Sequence, residues 1–279
     1  MRFPYGKNIL ITGASSGIGL ACVSAFALRG YQVWGVSRSA TSGGTNLPAD
    51  IHLGKMDVTN ETSVSTTVAS LWDEAVTLTG EGFGTVLHCA GFGIGGAAED
   101  TPQREAEAQL ETNYFGVLRV NRHMLPRMRT RGNCLVLVVG SIAGRISIPF
   151  QSHYSSSKFA LEAYVEALRM EGAQFGIQAS ILEPGDTSTG FTAQRRMVLP
   201  EGSPYAETAQ RAVEKMARDE REGASPGKVA AVALRIAGKR HPPVRIAVGG
   251  VYRLLMFAKR LLPDRLAEAV IRSMYLSKH

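Results

Sequence analysis

Lys7-Asn8-Ile9-Leu10-Ile11-Thr12-Gly13-Ala14-Ser15-Ser16-Gly17-Ile18-Gly19 decides the fold. Residues 7–12 are a short apolar run bounded by glycine, the pattern of a strand buried on both faces. Residues 20–29 carry helical spacing and stop at Gly30, so the glycine turn joins a strand to a helix. Such a turn suits a dinucleotide. Gly13, Gly17 and Gly19 let the backbone approach a pyrophosphate, and Ser15, Ser16 and Ile18 lie where the helix N-terminus offers free N–H groups and its positive dipole end.

The same alternation continues outward. A second strand, residues 32–36, ends at Ser37-Arg38. A carboxylate there would bind the ribose hydroxyls of NAD, whereas an arginine grips a 2′-phosphate, so NADP(H) is favoured over NAD(H), with a solvated surface arginine as the alternative. Residues 39–49, rich in Ser, Thr and Gly, are expected to be mobile without ligand. A third strand, residues 51–56, closes on Asp57 and Val58; Asp57 can meet an adenine amino group, cap the helix starting near Asn60, or both. A fourth strand, residues 85–89, leads into Ala90-Gly91, small residues against which a cofactor ring can lie.

A helical stretch over residues 102–129 contains Asn113 and Gly116. Mid-helix glycine costs about 1 kcal/mol, which fits either a kink whose freed carbonyl holds a water or close helix packing at Gly116. A fifth strand, residues 134–139, ends at Gly140-Ser141, at the sheet edge where open parallel sheets bind ligands. Ser141 is either a substrate-facing donor or a turn-forming serine. Tyr154 and Lys158 follow, four apart on one helical face. A unit charge roughly 4 Å from a phenol at an effective dielectric of about 20 contributes about 4 kcal/mol, enough to bring it toward neutral pH as a general acid or base. In isolation such a pair is more often a half-buried ring beside a solvated amine. After a sixth strand, Pro184-Gly185 turns the chain at the same edge, placing Thr187 and Thr189 to touch a nicotinamide carboxamide. The expected fold class is α/β, a Rossmann-type doubly wound parallel sheet with helices on both faces and a C-terminal helical extension.

The 279 residues, 44% hydrophobic, suffice for one sizeable core. Residues 1–279 are expected to form one domain, with 190–279 as substrate lid and C-terminal elaboration. Residues 1–7 lead straight into the first strand, which leaves no place for a signal segment and points to the cytoplasm. The three cysteines, Cys22, Cys89 and Cys134, lack zinc spacing, so no metal is expected. The net charge of +7 lies in the tail: residues 191–279 hold seventeen Lys/Arg against eight Asp/Glu. No stacking platform or helix-turn-helix accompanies this charge, which argues against nucleic acid. Phe191, Met197, Val198, Leu199 and Tyr205 are lid candidates, and residues 225–239 form a helix. Val251, Leu254, Leu255, Ala258 and Leu262 form a helical stripe before Pro263: core, a subunit interface, or with Arg253, Lys259 and Arg260 a membrane surface.

Taken as a set, Thr12-Gly13-x-x-x-Gly17-x-Gly19, Ala90-Gly91, Asn113, Ser141, Tyr154-x-x-x-Lys158 and Pro184-Gly185 resemble the short-chain dehydrogenase/reductase family over residues 7 to about 190. The glycine spacing resembles its shorter oxidoreductases rather than the extended epimerases, and a Tyr–Lys gap of four sets the chain apart from the divergent enoyl reductases. The resemblance implies Tyr154 as acid/base on the substrate oxygen and Lys158 as the residue that lowers its pKa and binds the nicotinamide ribose. It implies Ser141 as the group orienting the carbonyl and Asn113 as holder of a water linked to Lys158. It further implies a homodimer or homotetramer built on the long helices around Asn113 and Tyr154. The family's usual Asn-Ala-Gly is here Cys89-Ala90-Gly91, which puts contacts around the cofactor floor in question. The Ser37-Arg38 strand end, the loop after Ser141 and the basic tail are similar to hydroxysteroid and retinol dehydrogenases. That implies a bulky apolar alcohol or ketone near Phe92, Ile94, Ile148, Phe150 and Met197.

Overall fold

The computed structural model describes residues 3–39 and 50–276; the mobility expected of residues 39–49 falls, but for Ser39, outside them. In chain order the elements are β1 (Asn8–Thr12), α1 (Gly17–Ala27), β2 (Gln32–Ser37), β3 (Ile51–Lys55), α2 (Glu61–Thr79), β4 (Thr85–His88), β5 (Ile94–Gly96) and α3 (Gln103–Leu110). A π-helical turn (Glu111–Phe115) then runs into α4 (Gly116–Arg131), followed by β6 (Cys134–Val139), a short 3-10 turn (Ile142–Gly144), α5 (Ser152–Gly172) and β7 (Ile177–Pro184). The chain closes with α6 (Phe191–Gln194), β8 (Arg196–Val198), α7 (Ala206–Glu222), α8 (Pro226–Ala237), β9 (Arg245–Val248), α9 (Gly250–Leu261) and α10 (Asp264–Leu276).

Seven strands form one parallel sheet in the order β3-β2-β1-β4-β6-β7-β9, a Rossmann-type α/β sheet. The chain walks outward from β1 to β3 and then returns to place β4 on the other side of β1, with Thr12 level with His88. Ligands of open α/β sheets bind at that reversal, beyond the strands' carboxyl ends. Alternation along the strands builds the two faces of the core. Leu10, Val86 and Val136 pack with Val68 of α2, Met124 of α4 and Val165 of α5. Ile9, Ile11, Leu87 and Leu135 point the other way, onto Val23 and Phe26 of α1 and Ala233 of α8.

Local chemistry sets the element ends. Asn60 caps α2 by accepting from the Ser63 amide, and Asp57 instead accepts from the amide and hydroxyl of Thr59. The cap expected of Asp57 therefore belongs to Asn60, while Asp57 stiffens the turn ahead of it. Of the two readings of the 102–129 helix, close packing at Gly116 is met, against the segment after β3 rather than a helix. Asn113 sits in the π-helical turn, and a Cβ on Gly116 would lie 2.9 Å from Val58 Cγ2.

Beyond residue 190 the structure departs from the sequence reading. The 191–223 stretch contains β8, which pairs in parallel with β5 across a hundred residues of chain, and the long helix α7. Pro263 does divide the two last helices, and the stripe read as core, subunit interface or membrane surface divides: Leu255 packs inward, while Val251 and Leu254 face outward. Among the described residues no helix is long and apolar enough to cross a membrane.

Candidate active site

Along the carboxyl edge of the sheet runs a cleft of about 600 Å³. Gly13, Ser15, Ser16, Gly17, Ile18, Gly19, Ser37, Arg38, Asp57 and Val58 line it toward the β1–β3 side. Ala90, Gly91, Ser141, Tyr154, Lys158, Pro184, Gly185, Thr187 and Thr189 line the rest. Asn113 is the one expected site residue behind the wall. Its Nδ2 donates to Phe92 O (3.0 Å) and Ser157 Oγ (3.1 Å), and its Oδ1 accepts from the Phe92 amide (3.0 Å), tying the segment after β4 to α5.

Whether these residues fit a dinucleotide can be tested on the β1–α1 turn. Gly13 adopts φ +67°, and a Cβ on it would lie 2.7 Å from the Ala90 amide nitrogen; one on Gly19 would lie 2.0 Å from Gly13 O. Only glycine permits this tight turn. Ser16 precedes α1 without a side-chain capping bond, so the first-turn amides, which lack intrahelical acceptors, open into the cleft. The turn fits a diphosphate. At the β2 end Arg38 is exposed and forms no ion pair among the described residues.

Tyr154 and Lys158 do share a face of α5, with Nζ 5.7 Å from the ring centroid. The ammonium is not directed at the phenol: it donates to Val139 O at 2.9 Å, at the end of β6. Lys158 is 6% exposed, and burial pulls it down to about 8. Tyr154 is half-buried, and loss of water pushes its phenol up to about 12, with a hydrogen bond from Ser141 pulling it down. The lowering expected from the bare Tyr–Lys spacing is thus opposed by burial of the phenol, which outweighs the Ser141 hydrogen bond. Ser141 has the turn-forming role of its two readings. It accepts from the Ala143 amide (3.1 Å), capping the 3-10 turn, and it also faces the phenol.

A family model for short chain dehydrogenases matches residues 7–198. The chain belongs to the short-chain dehydrogenase/reductase family. It is 34% identical to a 3-ketodihydrosphingosine reductase of Bacteroides thetaiotaomicron over 96% of this chain and 97% of that one. It is 28% identical to retinol dehydrogenase 8 of Bos taurus over 92% of this chain and 86% of the other. A solved short-chain dehydrogenase from Streptomyces avermitilis superposes with a TM-score of 0.80 at 29% identity, covering 96% of each chain. As a member of this family the chain is an NAD(P)-dependent oxidoreductase.

Its Cys89, where the family usually has asparagine, leaves the segment after β4 held by Thr12. The Thr12 hydroxyl accepts from the amides of Cys89 (3.2 Å) and Ala90 (3.4 Å). A hydrogen bond with the Cys22 thiol, and burial, push the Cys89 thiol well above the ordinary range.

The end of the cleft around Tyr154 contains residues that sequence reasoning missed. Glu220 of α7 and Tyr275 of α10 line the cleft beside Gln151 and Gln194. Glu220 is held by Arg195 in an ion pair whose side chains are 15% and 2% exposed, and it also accepts from the Thr192 hydroxyl. The Phe191 ring lies 5.6 Å from that of Tyr154. Of the five expected apolar contacts, Phe92 and Ile148 line the cleft. Ile94 is buried in β5, Phe150 packs on α7, and Met197 lies exposed on β8. Helix α7 was detectable in principle from Ala209, Ala212, Val213 and Met216 at helical spacing; no local pattern marks Glu220.

Proposed function

We propose that this protein interconverts a ketone or aldehyde and an alcohol, with NADP(H) preferred over NAD(H), on a bulky apolar substrate of steroid, retinoid or lipid type. The observation that carries the reading is the convergence of Ser141, Tyr154 and Lys158 in one cleft whose other end holds Arg38. The β1–α1 turn, Ala90, Gly91 and the 184–189 segment would hold the dinucleotide, Asp57 and Val58 would face its adenine, and Arg38 would take a 2′-phosphate. The nicotinamide, when bound, supplies hydride chemistry.

The protein's own part is the proton. Tyr154 gives its phenolic proton to the carbonyl oxygen in reduction and takes one back in oxidation, while the Ser141 hydroxyl orients that oxygen. With a pKa near 12 the phenol is protonated at pH 7, the form that reduction consumes. Lys158, anchored on Val139 O, places its charge beside Tyr154 and would bind the nicotinamide ribose. Asn113, whose side chain is tied to Phe92 and Ser157 in the π-helical turn, would hold a water linking Lys158 to solvent.

The relatives named for a sphingoid ketone and for retinol support the apolar substrate, as do Phe92, Ile148 and Phe191 at the cleft wall. We further infer one domain over residues 1–279, with 190–279 as lid and C-terminal elaboration. The assembly inferred is a homodimer or homotetramer through α4 and α5, whose surroundings expose Phe115, Phe159 and Met170.

Two variants test this. Tyr154→Phe is expected to lower turnover of a long-chain or steroid ketone by about 10²-fold or more with cofactor affinity nearly intact; retained activity refutes the assignment, and cofactor binding without turnover in the wild-type protein would mark a sensor instead. Arg38→Asp removes a charge-assisted contact, so the NADP/NAD ratio of kcat/KM should fall by roughly 10- to 100-fold. An unchanged ratio makes Arg38 a surface charge.

A further inference from the structure

The last two helices present an apolar face that no described part of the chain covers. In α9, Tyr252, Leu255 and Met256 turn inward onto Ile146, Ala247 and Ile271. The opposite stripe, Val251, Leu254, Phe257 and Leu261, recurs every three or four residues and is 62% to 77% exposed. Helix α10 repeats the division: Ala267 and Ile271 face inward, while Leu266, Val270 and Met274, four apart, are 42% to 51% exposed. Together these are seven of the sixteen exposed large hydrophobic side chains of the described residues, gathered into residues 251–274. An apolar concentration of this kind is a contact surface rather than ordinary scatter.

Charge decides what covers it. Arg253 and Arg260, seven apart, border the outward stripe of α9, and with Lys259 and Arg265 they form no ion pair among the described residues. The acidic residues of the two helices are Asp264 and Glu268, and Glu268 already faces Arg272 at 3.8 Å. A second copy docked on this face by a twofold axis would set the same unpaired cations against each other. An anionic lipid surface satisfies both features, taking the apolar stripe into its acyl boundary and the guanidinium groups at its phosphates.

We propose that α9 and α10 form a peripheral docking face that lies in the surface of an anionic bilayer. Leu254, Phe257 and Leu261 enter the headgroup boundary, and Arg253 and Arg260 meet lipid phosphates. The face is rigidly tied to the cleft: the Tyr252 hydroxyl donates to Asp186 Oδ2 at 2.6 Å, and Tyr275 of α10 lines the cleft itself. Docking therefore holds the substrate end of the cleft next to the lipid. The inference is independent of the substrate assignment, since an enzyme acting on a water-soluble ketone can dock in the same way.

Co-sedimentation of the full chain with phosphatidylcholine vesicles, and with vesicles that also contain phosphatidylglycerol, tests the proposal at low and high salt. Binding is expected to the anionic vesicles at low salt and to weaken as salt rises. Leu254→Glu with Phe257→Glu should reduce vesicle binding about tenfold or more while leaving turnover of a soluble ketone unchanged. Arg253→Gln with Arg260→Gln, at exposed positions that do not threaten folding, should also reduce it about tenfold or more. No pelleting with either vesicle at low salt overturns the proposal. So does binding indifferent to both variants, or a drop in solution mass from oligomer to monomer in Leu254→Glu with Phe257→Glu, which would make the face a subunit interface. Because soluble-ketone turnover is read separately, loss of docking is distinguished from failure of the catalytic assignment.

Discussion

The two ends of the cleft are built differently. The dinucleotide end is made of backbone: the Gly13–Gly19 approach, the open amides of α1, and strand ends brought level by parallel pairing. The substrate end is made of side chains that meet across long stretches of chain. Arg195 reaches Glu220 across 25 residues, and Tyr252 reaches Asp186 across 66. Backbone geometry leaves a local mark in sequence, as glycine at a turn or an apolar run before it. Long-range side-chain pairing leaves none.

The difference can be broken at its side-chain end first. Arg195→Met removes one partner of a buried ion pair and strands Glu220, a change that costs about 3–5 kcal/mol in comparable settings. The expected result is a raised KM for the apolar ketone and a lower Tm, with cofactor affinity within about twofold, because no backbone contact of the dinucleotide end depends on Arg195. Equal loss of cofactor and substrate affinity would show that the two ends are one mechanical unit. The reciprocal change is Gly19→Ala. A Cβ 2.0 Å from Gly13 O must displace the turn, at about 1–3 kcal/mol for an overpacked site. Cofactor affinity should fall together with stability, measured by titration of nucleotide fluorescence and by thermal melting. Normal cofactor binding in this variant would refute the claim that the turn is fixed by close approach.

The same contrast explains what could be read in advance. The six large-sheet strands through residue 190, the glycine turn, and the placing of Ser141, Tyr154 and Lys158 at one edge were legible, because each follows from apolar runs ending in small residues, whereas β5 was not. The protonation state of Tyr154 was not. Spacing places Lys158 on the same face, but which acceptor takes its ammonium, and how much water the phenol loses, depend on Val139 and the packed cleft. The cap at Asp57 was misplaced by three residues because Asp and Asn both make Asx turns, and only the bonds to Thr59 and Ser63 separate the roles. Likewise, the outward turn of Val251 and Leu254 could not be read from the stripe, since apolar spacing shows an amphipathic helix and not what lies against it.

One buried side-chain network lies behind the backbone-built end, off the cleft lining, and it gives the smallest but sharpest test of the contrast. His88, at the end of β4, is buried with Nε2 2.9 Å from Asn121 Oδ1, and Asn121 Nδ2 donates to the Tyr164 hydroxyl at 3.1 Å, joining the sheet to α4 and α5. Burial pulls the imidazole down to about 4, with the Asn121 hydrogen bond opposing. Below an ordinary histidine pKa of about 6.5, the unfolded chain takes up this proton while the folded chain does not. The contribution to stability is therefore fully present above that pH and is lost as pH falls toward the folded value. The linkage relation puts the loss at about 2 kcal/mol by pH 5. Urea unfolding at pH 7.5 and pH 5 should show that difference in the wild-type protein and not in His88→Gln, which lacks the titrating ring; comparing the two proteins cancels every other ionising group. The same pH dependence in both would place His88 in contact with solvent and leave the dinucleotide end without a side-chain network behind it.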